Sequence, residues 1–253
     1  MSTLPNDEFT IHLPQADGSA LPQDKEYFEI EEAGRRRRIR FHDYAEIYAI
    51  PGLYERIFAE TLCCRSPQVV VDLLHDTLVD EHHNPDELRV VDLGAGNGMV
   101  GEELARIGAR SIVGLDELEE AKEAAERDRP GVYDAYHALD LTRPEPGVQR
   151  ELEQTDFNCL TCVAALGFGD IPPQAFRAAW DLIEPEGWAA FNIRDRFLAS
   201  SDRSGFAALL EDMTATGELV EHARLRYPHR LGLNGEPLHY IAVVTQKAGE
   251  STV

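Results

Sequence analysis

A chain of 253 residues with 43% hydrophobic content can bury one good-sized core but hardly two, so one large domain with an N-terminal extension is expected. Its 46 acidic against 24 basic residues give a formal charge of -22, which a phosphate backbone would repel in the absence of a strong local basic surface; this argues against nucleic acid as a partner. No apolar run approaches the roughly 20 residues that span a bilayer, and the opening MSTLPNDEF is polar and acidic rather than a signal sequence, so a cytoplasmic protein with no membrane partner is expected.

Residues 1–24 are rich in Pro, Asp and Ser without periodicity and read as a flexible tail. Residues 25–85 read as an N-terminal hairpin and helical cap. EYFEI alternates apolar and polar residues, Gly34 marks a turn, and RRRIRF returns in strand-like alternation. The run Arg35 to Arg38 with Arg40 then faces Glu29, Glu31 and Glu32, and cross-strand pairing explains it better than a nucleic-acid patch. Asp43 is placed to cap a helix over Tyr44 to Ala49. Pro51 opens another over GLYERIFAETL, and Ser66-Pro67 begins a third with Ser66 as its cap.

The cysteines are the vicinal Cys63-Cys64 and the pair Cys159 and Cys162, the latter in an apolar run read as a strand. Residues three apart in a strand point to opposite faces, so these two thiols neither share a metal nor form a disulfide; no metal site is expected.

After HHNPDE, strands alternate with helices: LRVVDLGAGNG, GARSIVGLD, LEEAKEAAERDR, YDAYHALDL, FNCLTCVAAL, PPQAFRAAWDLI with its stop signal EPEGW, then GWAAFNIR. This order implies an α/β fold with right-handed crossovers and a mostly parallel sheet. A helix around Arg203 to Thr216 leads to two alternating strands, ELVEHARLRYP and LHYIAVVTQK, whose antiparallel hairpin departs from a doubly wound dinucleotide domain.

The chemistry centres on Asp92-Leu93-Gly94-Ala95-Gly96-Asn97-Gly98, where an apolar strand breaks into a glycine-rich turn before a helix. Such a turn brings backbone N–H groups close to a nucleotide-like or carboxylate-bearing ligand. GNGMVG also has the G-x-G-x-x-G spelling of NAD-binding proteins, so the flanking residues must decide. Asp116 ends the next strand, where a carboxylate accepts ribose hydroxyls for either cofactor. Asp92 at the tip of the first strand suits an ammonium and opposes a pyrophosphate. Asp140-Leu141 offers an acid and an apolar side chain to an adenine.

Together, DLGAGNG, GLDELEEAKEAA and HALDL resemble the motifs of the class I S-adenosylmethionine-dependent methyltransferases over residues 88–247. GNGMVGEELARIG, VYDAYHALDLT and LGFGDIPPQAF are most similar to the small methyltransferase-like group named after the Williams–Beuren chromosome region. The resemblance implies a Rossmann-like fold over 86–248, with a seven-stranded, mostly parallel sheet and an antiparallel C-terminal hairpin. It implies S-adenosylmethionine as cofactor and S-adenosylhomocysteine as product. Gly94, Ala95 and Gly96 would meet the methionine part, Asp92 its amino group directly or through water, and Asp116 the ribose, with Glu117 also among the cofactor-binding residues. Leu118, Asp140 and Leu141 would meet the adenine, and Val163 and Ala164 the methionine side.

A sulfonium methyl is already activated, so transfer needs orientation and a dry pocket more than a dedicated catalytic group. For a hydroxyl or thiol acceptor, the candidate bases are His137, Asp170, His229 and His239. The loop from Ala164 to Asp170 lacks the Asn/Asp-Pro-Pro-aromatic tetrapeptide of many amino-group methyltransferases, which argues against amide and nucleobase-amine acceptors. Tyr44, Tyr48, Tyr54, Phe168, Asn192 and Arg194 are the candidate substrate contacts, with Arg194 suited to an anion. The expected partner is a small, partly apolar acceptor bearing one polar or anionic group; whether O, S or N is methylated stays open, as does monomer or homodimer. Two other readings stand beside this one: a catalytically silent S-adenosylmethionine-binding sensor or assembly protein, and an NAD-dependent oxidoreductase.

Overall fold

The computed structural model describes residues 9–14, 25–199 and 201–249. A seven-stranded sheet forms its centre, with β4 (Arg89–Leu93), β5 (Ser111–Asp116), β6 (Ala135–Ala138), β7 (Cys159–Cys162) and β8 (Trp188–Ile193) parallel. The long hairpin of β9 (Leu219–Leu231) and β10 (Pro237–Lys247) joins antiparallel to β8, giving the order β6-β5-β4-β7-β8-β10-β9. The expected architecture is therefore present.

The central strands are apolar throughout because helices cover both faces. On one face α5 (Pro146–Glu153), α6 (Pro173–Leu182) and α7 (Phe206–Ala215) pack Leu152, Trp180, Phe176 and Phe206 against Val91, Leu160, Ala189 and Val243. On the other, α2 (Ser66–Asp80) and α3 (Met99–Arg106) pack Val70, Leu74, Val100 and Leu104 against Val90, Cys159, Ala190 and Val244. Alternation puts Cys159 and Cys162 in opposite cores, both as free thiols. The α5 helix does not stand out in the sequence: Pro146–Glu153 carries only Val148 and Leu152 as apolar residues, a single i, i+4 contact with the core.

The N-terminal sheet has three strands, not two. Thr10–His12 forms β1, paired antiparallel with β2 (Tyr27–Glu32), so the tail reading fails for these residues; residues 1–8 and 15–24 lie outside the described ones. Between β2 and β3 (Arg35–Arg40) the register sets Glu29 opposite Arg38, Glu31 opposite Arg36 and Glu32 opposite Arg35, which accounts for the arginine run. Phe28, Ile30, Ile39 and Phe41 close a small core with Ile47 of α1 (Tyr44–Ala49) and with Ile57 and Phe58 of a π-helical turn, Glu55–Thr61.

Two expected caps serve elsewhere. The Asp43 carboxylate accepts the Arg40 backbone N–H at 3.0 Å and pairs with the Arg40 guanidinium, so it closes the turn before α1 instead of capping it. Ser66 starts α2, but its hydroxyl lies 2.6 Å from both Tyr227 Oη and His229 Nδ1. Among the described residues no helix is long and apolar enough to cross a membrane, and no group of three or more metal-ligating side chains forms.

Candidate functional site

The strand order reverses between β4 and β7, and a cavity of about 760 Å³ opens there at the carboxyl ends of the parallel strands. Gly94 after β4, Asp116 to Leu118 after β5, Asp140-Leu141 after β6 and Val163-Ala164 after β7 all line it. Tyr44, Tyr48 and Tyr54 of the N-terminal cap and Asp170 complete the wall. Ala95 and Gly96 line an adjoining recess of only about 40 Å³, pressed between the glycine loop and Tyr48 and Tyr54.

The glycine loop is strapped to the end of β5. Gly96 N–H donates to Asp116 Oδ2 at 3.0 Å and Leu118 N–H to Oδ1 at 3.1 Å, leaving each oxygen further acceptor capacity toward the cavity. Burial raises the Asp116 pKa from its ordinary value, against these backbone bonds. Gly94 and Gly96 adopt φ of 72° and 54°, and a Cβ on them would meet Ile171 Cδ1 at 2.7 Å and the Tyr48 hydroxyl at 2.5 Å. Only glycine suits both positions. Asp140 is exposed, with one oxygen accepting the Thr142 hydroxyl at 2.6 Å and its N–H at 2.8 Å, bonds that lower its pKa.

Several expected site residues lie elsewhere. Asp92 is 1% exposed and does not line the cavity: Thr161 Oγ1 donates to one oxygen at 2.7 Å and Tyr133 Oη to the other at 2.8 Å. Its carboxyl, pushed up to about 7 by desolvation, is held by these two hydroxyls behind the cavity wall. Asn192 is fully buried. Its Oδ1 accepts the Ala164 N–H at 2.6 Å while Nδ2 donates to Ser66 and Tyr227, holding Ala164 at a φ of 61°. It therefore shapes the cavity wall from behind.

His229 belongs to the same buried cluster, stacked on Tyr240 at 4.0 Å, and burial with the nearby Arg230 and Arg194 charges lowers its pKa to about 3. It stays neutral and away from the cavity. His239 sits opposite Pro228 in the β9–β10 hairpin, and His137 lies 3.8 Å from Glu151; neither lines the cavity. Phe168 also stands behind the wall, edge-on to Phe197 at 4.9 Å with the Arg196 guanidinium over its face. Arg194 is not a lining residue either. Among the described residues the lining carries Asp43, Glu46, Asp116, Glu117, Asp140 and Asp170 and no lysine or arginine, so Arg194 does not offer this cavity the anion contact expected of it.

One lining group is absent from the sequence reading. His42, between β3 and α1, places Nδ1 2.9 Å from Asp170 Oδ2, across 128 positions of the chain. A lone histidine in a turn gives no local signal of such a partner.

Residues 59–235 match the family model described as "Methyltransferase domain". Over 127 residues the chain is 32% identical to the ubiquinone biosynthesis O-methyltransferase of Burkholderia thailandensis, covering 48% of this chain and 51% of that protein. Over 120 residues it is 28% identical to the enzyme of the same name from Neisseria meningitidis serogroup C, covering 45% and 47%. The chain thus spans about half the length of the curated relatives it matches. A S-adenosylmethionine-dependent methyltransferase from Clostridium acetobutylicum shares the fold, with a TM-score of 0.53 at 12% identity over 78% of this chain and 97% of that one. So does magnesium protoporphyrin IX methyltransferase from Synechocystis with bound SAM, at 0.50 and 14% over 72% and 79%. With the family model matching well over half of its residues, this chain belongs to the methyltransferase domain family.

Proposed function

We propose that the chain is a S-adenosylmethionine-dependent methyltransferase acting on a hydroxyl of a small, partly apolar acceptor. The observation that carries this reading is the Asp116 carboxylate, fixed by the Gly96 and Leu118 amides at the mouth of a cavity that continues under the tyrosines of α1. Its remaining lone pairs suit a ribose diol, Leu118 and Leu141 give an adenine an apolar slot beside Asp140, and Gly94 leaves room at the loop. A volume of about 760 Å³ sits inside the usual range of small-molecule sites.

When bound, the cofactor supplies an activated methyl; the chain's own residues orient the acceptor and exclude water from it. The same lining disfavours NAD, whose pyrophosphate would meet carboxylates with no lysine or arginine side chain among the lining residues. The hydroxyl is favoured by the O-methyltransferase names of the relatives matched over about half their length and by the loop after β7, which lacks the Asn/Asp-Pro-Pro-aromatic tetrapeptide. Within the family, GNGMVGEELARIG and LGFGDIPPQAF favour the Williams–Beuren-type group.

Calorimetry with S-adenosylhomocysteine tests the cofactor half. Binding is expected for the unaltered chain and roughly 10- to 100-fold weaker binding for Asp116→Ala, the loss of charge-assisted hydrogen bonds. No binding by the unaltered chain, or NADH binding that Asp116→Ala weakens, would overturn it.

A further inference from the structure

We propose that His42, oriented by Asp170, is the general base that takes the proton from a neutral phenol-type acceptor. The inference deepens the hydroxyl reading above and rests on it.

Both residues line the cavity, with side chains 21% and 28% exposed, and come from separate elements that only the fold unites. The Asp170 carboxylate meets His42 Nδ1 through both oxygens, at 2.9 and 3.2 Å. A carboxylate there accepts the Nδ1 proton, which leaves the lone pair on Nε2. Among the described residues Nε2 has no hydrogen-bond partner. The ring cannot swing freely: Tyr44 packs against it edge-on at 5.7 Å and Phe168 in a tilted contact at 5.4 Å.

The pair is placed at the loop end of the cavity rather than the adenine end. Ile171 follows Asp170 directly, and its Cδ1 occupies the space that a side chain on Gly94 would need. The wall beyond it, Ile171, Pro172, Ala175 and Tyr44, is apolar and suits a flat ring.

Charge fixes the acceptor class. With no lysine or arginine among the lining residues, nothing there stabilises a phenolate or a carboxylate in advance, so the hydroxyl arrives neutral and needs a base as it reacts. The groups around the imidazole are Asp170, Asp43, which is paired with Arg40, the Tyr44 phenol, and Arg196, which stacks on the Phe168 ring.

In the step, the acceptor O–H bond breaks and its proton passes to His42 Nε2, while an oxygen electron pair forms the O–CH3 bond. The C–S bond breaks as this bond forms and its pair stays on sulfur as the thioether. The imidazolium so formed is balanced by Asp170, and the proton then leaves to water.

The test uses catechol and nitrocatechol as acceptor probes at about pH 8, where only the second is substantially ionised. His42→Gln is expected to lower kcat on catechol by at least about 100-fold and on nitrocatechol by less than about fivefold. Its S-adenosylhomocysteine affinity stays within about twofold by calorimetry, which also reports a folded site. Asp170→Asn should lower kcat on catechol with little change in KM, and Asp170→Glu should restore most of it, as a positioning role requires. Independently of turnover, the nitrogen-15 NMR spectrum of the resting protein should show His42 protonated on Nδ1 and not Nε2. Equal losses on both acceptors, or an Nε2-protonated ring, would overturn the assignment. Turnover of neither probe by a chain that still binds S-adenosylhomocysteine would overturn the phenol-and-base assignment while leaving the cofactor reading intact. A chain that fails to bind S-adenosylhomocysteine would instead remove the reading beneath it.

Discussion

Asp92 carries a carboxyl buried behind the cavity wall, where desolvation penalises its charged form. Its carboxyl sits in the sheet with a folded pKa of about 7 against an ordinary value of 3.8, so the native state holds the proton more tightly than the unfolded chain. The stability it contributes is complete below the unfolded value and is lost as pH rises from about 4 through 7. Asp92→Asn keeps polar partners for Thr161 and Tyr133 without the buried charge. It should therefore be more stable than the unaltered chain at about pH 8, on the order of 2–4 kcal/mol, with the gap shrinking toward about pH 5 in urea titrations. A gap independent of pH would place the ionised carboxylate in a better-solvated setting than the structure gives it. Asp116 and Asp140 stand out in the sequence at the ends of expected strands, and both line the cavity. Asp92 shares that pattern, yet its side chain turns inward, a choice set by Thr161 on a neighbouring strand and by Tyr133, 41 positions away. For the same reason Asn192 and His229 look available in the sequence and prove to be scaffold, while His42 passes unnoticed.

At the level of elements, α1 brings its tyrosines over the glycine loop. Tyr44 and Tyr48, one turn apart as expected, lie 6.1 Å apart, and Tyr54 continues the column at 5.0 Å toward Phe58. Burial keeps the Tyr44 and Tyr48 hydroxyls protonated, and the Tyr48 hydroxyl covers Gly96. Gly96→Ala should then reduce S-adenosylhomocysteine affinity roughly tenfold or more, since the added methyl pushes against that hydroxyl in an already left-handed backbone. Tyr48→Phe in the same chain removes the opposing oxygen and should recover part of the loss in calorimetry; no recovery would mean that backbone strain alone decides. Elements were legible where periodicity was strong, as in the doubly covered strands and α6. They were illegible where one or two contacts suffice, as in α5, or where the pairing partner is distant in sequence, as in β1. Capping signals at Asp43 and Ser66 marked real helix starts although each side chain bonds elsewhere.

Over the whole molecule the question is whether the N-terminal cap and the central sheet act as one body, since the cavity has walls from both. Leu231 N–H donates to Leu62 O at 2.7 Å and Arg65 N–H to His229 O at 3.0 Å, so the segment after the π-helical turn extends from β9 almost as another edge contact. Deeper, Glu26 at the start of the N-terminal hairpin pairs with Arg230 of β9, both nearly fully buried, with the guanidinium over Phe41. A buried pair of this kind gains little over an apolar pair, yet losing one partner strands a charge, at a cost of about 3–5 kcal/mol. Glu26→Leu should therefore be strongly destabilising, and adding Arg230→Met should recover most of the loss. Trp180 in α6 and Trp188 in β8 both belong to the sheet side, so their fluorescence in urea reports that side alone. If cap and sheet unfold together, the tryptophan midpoint falls in Glu26→Leu and returns in the double variant. An unchanged tryptophan midpoint, with the cap alone becoming protease-sensitive, would show two units and a cavity that opens at their seam.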